Sequence, residues 1–318
     1  MKGQLIIGSR GSKLALWQAE WVRARLTALE PGAEVRIEII KTSGDVMQDV
    51  SLSVIGGQGV FTKEIENALI AGRIDVAVHS LKDLPTLIPD SLSITAVPER
   101  ADPQDALVLP AGKQAADVSL RSLPVGARVG TSSLRRQAQL RHLRPDLLIA
   151  DVRGNVDTRL RKLDAGEYDA IILASAGLRR LGLEERISAA IPSSEMLPAV
   201  GQGALGIETR ADDADTNSLV ARLNHAPTHA AVIAERALLR HLGGGCQVPI
   251  AAHATVHENS LSLDGLVAAL TGEKIIREVL SGDIDDANGI GERLASRLQD
   301  RGADSLLAAA PMPLQPAS

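Results

Sequence analysis

Gln4-Leu5-Ile6-Ile7-Gly8-Ser9-Arg10-Gly11-Ser12-Lys13-Leu14-Ala15-Leu16-Trp17 changes period part-way along. Residues 4–8 read as a short buried strand. Ser12 is placed to cap a helix, and Leu14, Trp17, Trp21, Ala24 and Ala28 fall on one face of it. A strand that runs into a capped helix is the repeating unit of an α/β protein. The same switch recurs along the chain. Strands are predicted over 35–39, 74–78, 127–130, 147–152 and 170–174. Helices are predicted over 63–71, with Gly72 as the stop, and from Thr131-Ser132-Ser133 to about Leu143. Asn155 or Asp157 caps another helix that ends near Gly166, and Ser175 starts a further one. Residues 204–208 form a strand that can pair back into the first unit. The charged, proline-bounded segment 98–103 reads as a crossover. A helix over 228–241, strands over 252–256, 261–268 and 274–279, and a helix over 287–298 make an α+β tail.

The composition narrows the function. At 318 residues the chain suggests two or three domains. Lys and Arg total 34 against 39 Asp and Glu, a net charge of -5, which argues against a nucleic-acid partner. One Phe, two Trp and one Tyr leave too few rings for base stacking, so the cores are aliphatic. No secretion signal and no membrane-spanning run is apparent, and a reduced cytoplasmic setting is expected.

Cys246 is the one cysteine, and it follows Gly243-Gly244-Gly245. It excludes an internal disulfide and a multi-cysteine metal site. Two readings stand side by side: a small buried hydrophobe, or a thiol that something bulky approaches over a glycine-lined path. The histidines make no metal spacing with it, so no metal is expected.

Arginines gather at strand ends and helix starts: Arg10, Arg135, Arg136, Arg153, Arg159 and Arg180. Ligands of open α/β sheets bind there, and guanidinium forks grip carboxylate or phosphate. Arg135 and Arg136 oppose the dipole in a helix's first turn, and a bound polyanion gives them a reason to be there. The alternative is a set of solvated arginines. Asp83, beside Lys82, reads either as an acid/base group or as a turn residue before a proline.

These residues lie in segments that resemble the porphobilinogen deaminase (hydroxymethylbilane synthase) family. The segments are Ser9-Arg10-Gly11-Ser12 with 14–18, His79 to Pro85, Gly130 to Gln137, Arg153-Gly154-Asn155-Val156, Pro198 to Ala204, and Gly244 to Pro249. In this order they span nearly the whole chain.

The resemblance implies two α/β domains of periplasmic-binding-protein type plus a C-terminal α+β domain. The expected limits are 1–101 with 202–221 returning, 102–201, and 222–318. It implies a transferase of tetrapyrrole biosynthesis that joins four porphobilinogens head to tail with loss of ammonia. It implies a dipyrromethane cofactor held through a thioether at Cys246. Asp83 would stabilise positive charge on the pyrroles. Lys82, Asp83, Ser133, Arg135 and Arg136 would hold the cofactor, and Arg10, Ser12, Arg153, Arg159 and Arg180 the substrate. A monomer without nucleic-acid or membrane partners is expected. Val54 and Gln58 stand where many members carry lysines, and Lys13 where many carry proline. A solute-binding receptor would share the two-lobed fold but needs no thiol. A cysteine hydrolase would need a histidine near Cys246.

Overall fold

The computed structural model describes residues 4–46, 62–113, 117–244 and 248–309. Cys246, Val54 and Gln58 lie outside these residues. The strands are β1 (Gln4–Ser9), β2 (Glu34–Ile39), β3 (Val76–Ser80), β4 (Leu92–Ala96), β5 (Asp105–Val108), β6 (Arg128–Gly130), β7 (Leu148–Ala150), β8 (Ala170–Ala174), β9 (Ala189–Ile191), β10 (Leu205–Arg210), β11 (Ile250–His257), β12 (Ser260–Ala268) and β13 (Ile275–Asp283). The helices are α1 (Lys13–Leu29), α2 (Ser43–Val46), α3 (Lys63–Ile70), α4 (Leu134–Leu143), α5 (Val156–Asp164), α6 (Ser175–Arg180), α7 (Ala214–Val220), α8 (Ala226–His241), α9 (Ala287–Asp300) and α10 (Ala303–Ala308).

Three sheets result. The first has the order β2-β1-β3-β10-β4 and the second β7-β6-β8-β5-β9. In each, three strands run parallel and a fourth joins them antiparallel from across the crossover. The expected return of 204–208 to the first unit is β10, which lies between β3 and β4. The third sheet, β11-β12-β13, is an antiparallel meander. The class is therefore the expected one: two α/β units and a C-terminal α+β unit.

Burial on both faces explains the continuous apolar strands. In β8, Ala170 and Ile172 join a core with Val129 and Leu140, while Ile171 and Leu173 face Val152, Leu160 and Leu163. In the first sheet, Ile7, Val76 and Val78 pack on Ala19, Val22 and Leu26 of α1; Ala77 faces Ile65 and Leu69 of α3. Helices α8 and α9 cover the third sheet and cross closely. A Cβ at Gly291 would sit 2.4 Å from the Ala234 carbonyl oxygen, so glycine is required there.

One expectation fails. The buried stripe of α1 is Gln18, Ala19, Val22 and Leu26, whereas Ala24 and Ala28 are exposed. The helix is turned by about one position, or roughly 100°. Its indoles lie at the rim of the interface. Arg25 stacks over Trp21 at 3.5 Å, and the Arg180 guanidinium lies 5.8 Å from the Trp17 ring. Gln18 takes the inner place because its amide donates to Ser80 Oγ at 2.8 Å.

Candidate active site

The site starts at the carboxyl ends of β1 and β3. Arg10 stands half-buried just past β1. Ser12 caps α1 as expected, its Oγ accepting from the Ala15 N–H at 3.3 Å. The Gln18–Ser80 bond ties this helix start to the end of β3. After Ser80 the chain makes a single 3₁₀ turn, Leu81–Asp83. Leu81 and Leu84 are buried on either side and anchor it. Arg236 of α8 clamps its exit, donating to the Leu84 and Pro85 carbonyls at 3.1 and 2.6 Å. Lys82 and Asp83 are thus presented on a rigid turn, with the Asp83 side exposed.

The second unit repeats the plan. Ser132 Oγ donates to the Val152 carbonyl at 3.0 Å and accepts the Val152 N–H at 3.1 Å, which joins the ends of β6 and β7. Ser133 is the first non-helical residue before α4 and makes no side-chain cap bond. Arg135 and Arg136 follow, both buried.

Their counter-ion belongs to the chain. Asp105, fully buried at the start of β5, accepts from Arg135 Nη1 at 2.8 Å and from Arg136 Nε and Nη2 at 3.1 and 2.7 Å. Arg135 Nη1 also donates to the Leu197 carbonyl, and Arg136 Nη1 to that of Ile172. A bound polyanion is therefore not needed to explain why these arginines sit in a helix's first turn. Burial alone would raise the Asp105 pKa, but the two guanidiniums outweigh it and hold the carboxyl well below the usual carboxylate range.

Gln202 links the two units. Its amide donates to Asp105 Oδ1 at 2.8 Å and to the Pro103 carbonyl at 2.7 Å, and its own oxygen lies 3.5 Å from Lys82 Nζ. Burial brings Lys82 down to about 8, with Arg136 and Arg135 adding to the effect and Asp83 and Asp105 opposing it. Arg159 is brought to about 10 by burial, reinforced by Arg136 and Arg153 and opposed by Asp83. Arg180, also at about 10 through burial, donates to the Gly203 carbonyl at 2.7 Å. The structure thus brings Lys82, Asp83, Arg135, Arg136, Arg153 and Arg159 within electrostatic reach of one another.

Sequence reasoning missed Asp105 and Gln202. Gln202 lies inside the 198–204 segment and Asp105 follows the crossover, but their pairing spans 97 positions and leaves no local signal.

The donor set suits a polycarboxylate. Lys82, Arg135, Arg136 and Arg159 gather around Asp83 and Asp105, and Arg153, which also lies 3.9 Å from Asp151, adds its charge to theirs. Arg135 Nε is buried without a hydrogen bond. A buried guanidinium N–H without an acceptor is costly, and a carboxylate arm relieves that cost. Among the described residues no cluster of His, Cys, Asp and Glu could hold a metal ion. No helix there is long and apolar enough to cross a membrane.

Comparison with known proteins points the same way. Residues 5–218 match the family model "Porphobilinogen deaminase, dipyromethane cofactor binding domain", and residues 229–300 match "Porphobilinogen deaminase, C-terminal domain". The chain is 53% identical over 315 residues to porphobilinogen deaminase of Syntrophotalea carbinolica, covering 98% of each. It is 53% identical over 306 residues to that of Chromobacterium violaceum, covering 96% of this chain and 97% of the other. An ancestral arginine-binding protein bound to arginine aligns with 70% of this chain and 91% of its own at 14% identity and a TM-score of 0.39, too distant to bear on function. A cationic cluster built around one exposed and one buried aspartate, and family matches over nearly the whole chain, agree: this chain belongs to the porphobilinogen deaminase family.

Proposed function

We propose that this chain is a hydroxymethylbilane synthase, a transferase that joins four porphobilinogen molecules head to tail and releases one ammonia per unit. The observation that carries the reading is the gathering of buried Arg135 and Arg136 with half-buried Lys82, Arg153 and Arg159 around Asp83. Porphobilinogen carries acetate and propionate arms, and buried guanidiniums bind such arms far better than solvated ones do.

Dipyrromethane, the family's cofactor, supplies a pyrrole carbon nucleophile, and Cys246 is the residue that would hold it as a thioether. Lys82, Ser133, Arg135 and Arg136 orient its carboxylates. Arg10, Ser12, Arg153, Arg159 and Arg180 receive the arms of the incoming substrate. When the substrate's C–N bond breaks, ammonia leaves with the electron pair and positive charge spreads over the pyrrole. Asp83 accepts the pyrrole N–H and stabilises that charge, an effect that grows in the transition state.

The expected domain limits, 1–101 with 202–221, 102–201 and 222–318, are supported by sheet membership: β1 to β4 with β10, β5 to β9, and β11 to β13. A monomer acting in a reduced cytoplasm belongs to the same reading, and a single thiol in 318 residues fits a reducing compartment.

Intact mass of the freshly purified active chain tests the reading. We expect the bare mass plus a two-pyrrole adduct, lost in Cys246→Ala, and a pyrrole product that colours with Ehrlich-type reagent. A bare-chain mass in active protein would sink it.

A further inference from the structure

Asp105 and Asp83 are carboxylates within one cationic cluster, yet their settings are opposite. Asp83 is exposed on its turn. Asp105 has no exposure, and four donors hold it: Arg135 Nη1, Arg136 Nε, Arg136 Nη2 and Gln202 Nε2. Three of these donors converge on Oδ1 and one reaches Oδ2, and a carboxylate with no exposure is closed to a substrate proton. It can instead fix its donors.

We propose that Asp105 is a positioning residue, which sets the orientation of Arg135 and Arg136 before any carboxylate arrives, and that Gln202 extends this order to Lys82. The inference rests on the functional reading above, since it concerns the arginines assigned to the primer.

Two adjacent buried guanidiniums repel each other and have no fixed arrangement of their own. Asp105 neutralises one of the two charges. It takes up the Nε–Nη2 edge of Arg136 and one Nη1 hydrogen of Arg135, whose other Nη1 contact is the Leu197 carbonyl. The trio keeps one net positive charge in a defined place. A ligand then binds without first having to order two repelling side chains, which is the advantage of preorganisation. Gln202 belongs to the device because the amide that donates to Asp105 also lies against Lys82, a cation of the first unit.

Asp105→Asn in the full chain separates orientation from charge. The substitution makes the cleft more positive, which by attraction alone would speed capture of a polycarboxylate. We expect the opposite: uptake of the two-pyrrole adduct from porphobilinogen, followed by intact mass, slows about tenfold or more per folded chain. A lower Tm with an unchanged uptake rate would show a merely structural carboxylate and overturn the proposal. If far-UV circular dichroism shows that Asp105→Asn does not fold, Gln202→Leu decides. It keeps the ion pairs, and we expect a raised KM for porphobilinogen with kcat retained; an unchanged KM overturns the proposal. Wild-type chain that takes up no adduct would sink the functional reading instead, whatever the variants do.

Discussion

At matching places in the two α/β sheets, β3 and β8 end differently. β3 runs into one 3₁₀ turn that carries Lys82 and Asp83, whereas β8 runs into α6, which carries Arg180. The strand that each sheet receives from across the crossover brings a buried carboxylate in both cases. In the first sheet it is Glu208 on β10, 3.0 Å from His79 Nε2. In the second it is Asp105 on β5, bound by two arginines. One frame therefore serves two chemistries. The first unit exposes a carboxylate, to which the proposed function gives a developing cation; the second sets out guanidiniums, to which it gives the anionic arms. A shared strand order does not decide this. Which side chains stand on the few residues after each strand does.

The contrast can be broken by swapping what each strand end offers. Asp83→Asn should show the largest effect. Turnover per adduct-bearing chain should fall about a hundredfold or more while adduct content stays near wild type, measured as ammonia release against intact mass. A near-normal rate would remove Asp83 from the chemistry. Arg180→Ala removes the counterpart on α6, which follows β8. We expect about a tenfold rise in KM with a smaller change in kcat, because an arm loses a fork that it uses in ground and transition state alike.

Lys82 gives a subtler readout. Its pKa in the fold is about 8, so it is cationic below that pH and neutral above it. kcat/KM should decline above pH 8, and Lys82→Arg should flatten that limb, since arginine stays charged. The sign for stability is the reverse. Because the folded-state value lies below the ordinary lysine one, the unfolded chain takes the proton more readily. The handicap is full below about pH 8 and fades as pH rises toward the ordinary lysine range.

The smallest effect concerns Lys13. Its ammonium lies 2.5 Å from Asp157 of α5, joining the two units across an exposed pair. Lys13→Met should cost less than about 1 kcal/mol in urea unfolding, and less still at high salt.

Much of the frame is legible in the sequence because period and caps are local. β8 falls on the predicted residues 170–174, and Gly72, at φ +70°, stops α3 as expected. Strands β5 and β9 are not legible. Four and three residues long, they carry too little pattern and owe their form to pairing with each other and with β8. The α1 face was misread because indoles look like core, whereas these two lie at the rim beside arginines and a glutamine is held inside. The site divides in the same way. Arg135, Arg136, Asp83 and the Ser12 cap sit in short motifs. The counter-ion of the arginines sits 30 positions away from the nearer one, and the crossing of the two connections depends on Gly203. That residue has φ +86°, and a Cβ there would lie 2.4 Å from the Ala101 carbonyl oxygen. Only the folded chain brings such partners together.

The place of β10 has a consequence for how the molecule comes into being. His79 pairs with Gly206, so the interior of the first sheet is filled by a strand made more than a hundred residues after its neighbour. On a ribosome the segment that begins the chain cannot close its own sheet, while the second sheet, which lies wholly between Asp105 and Ile191, can close first. Until residue 210 has emerged, β3 and β4 have unsatisfied edges, the state in which a nascent chain most needs protection from its neighbours.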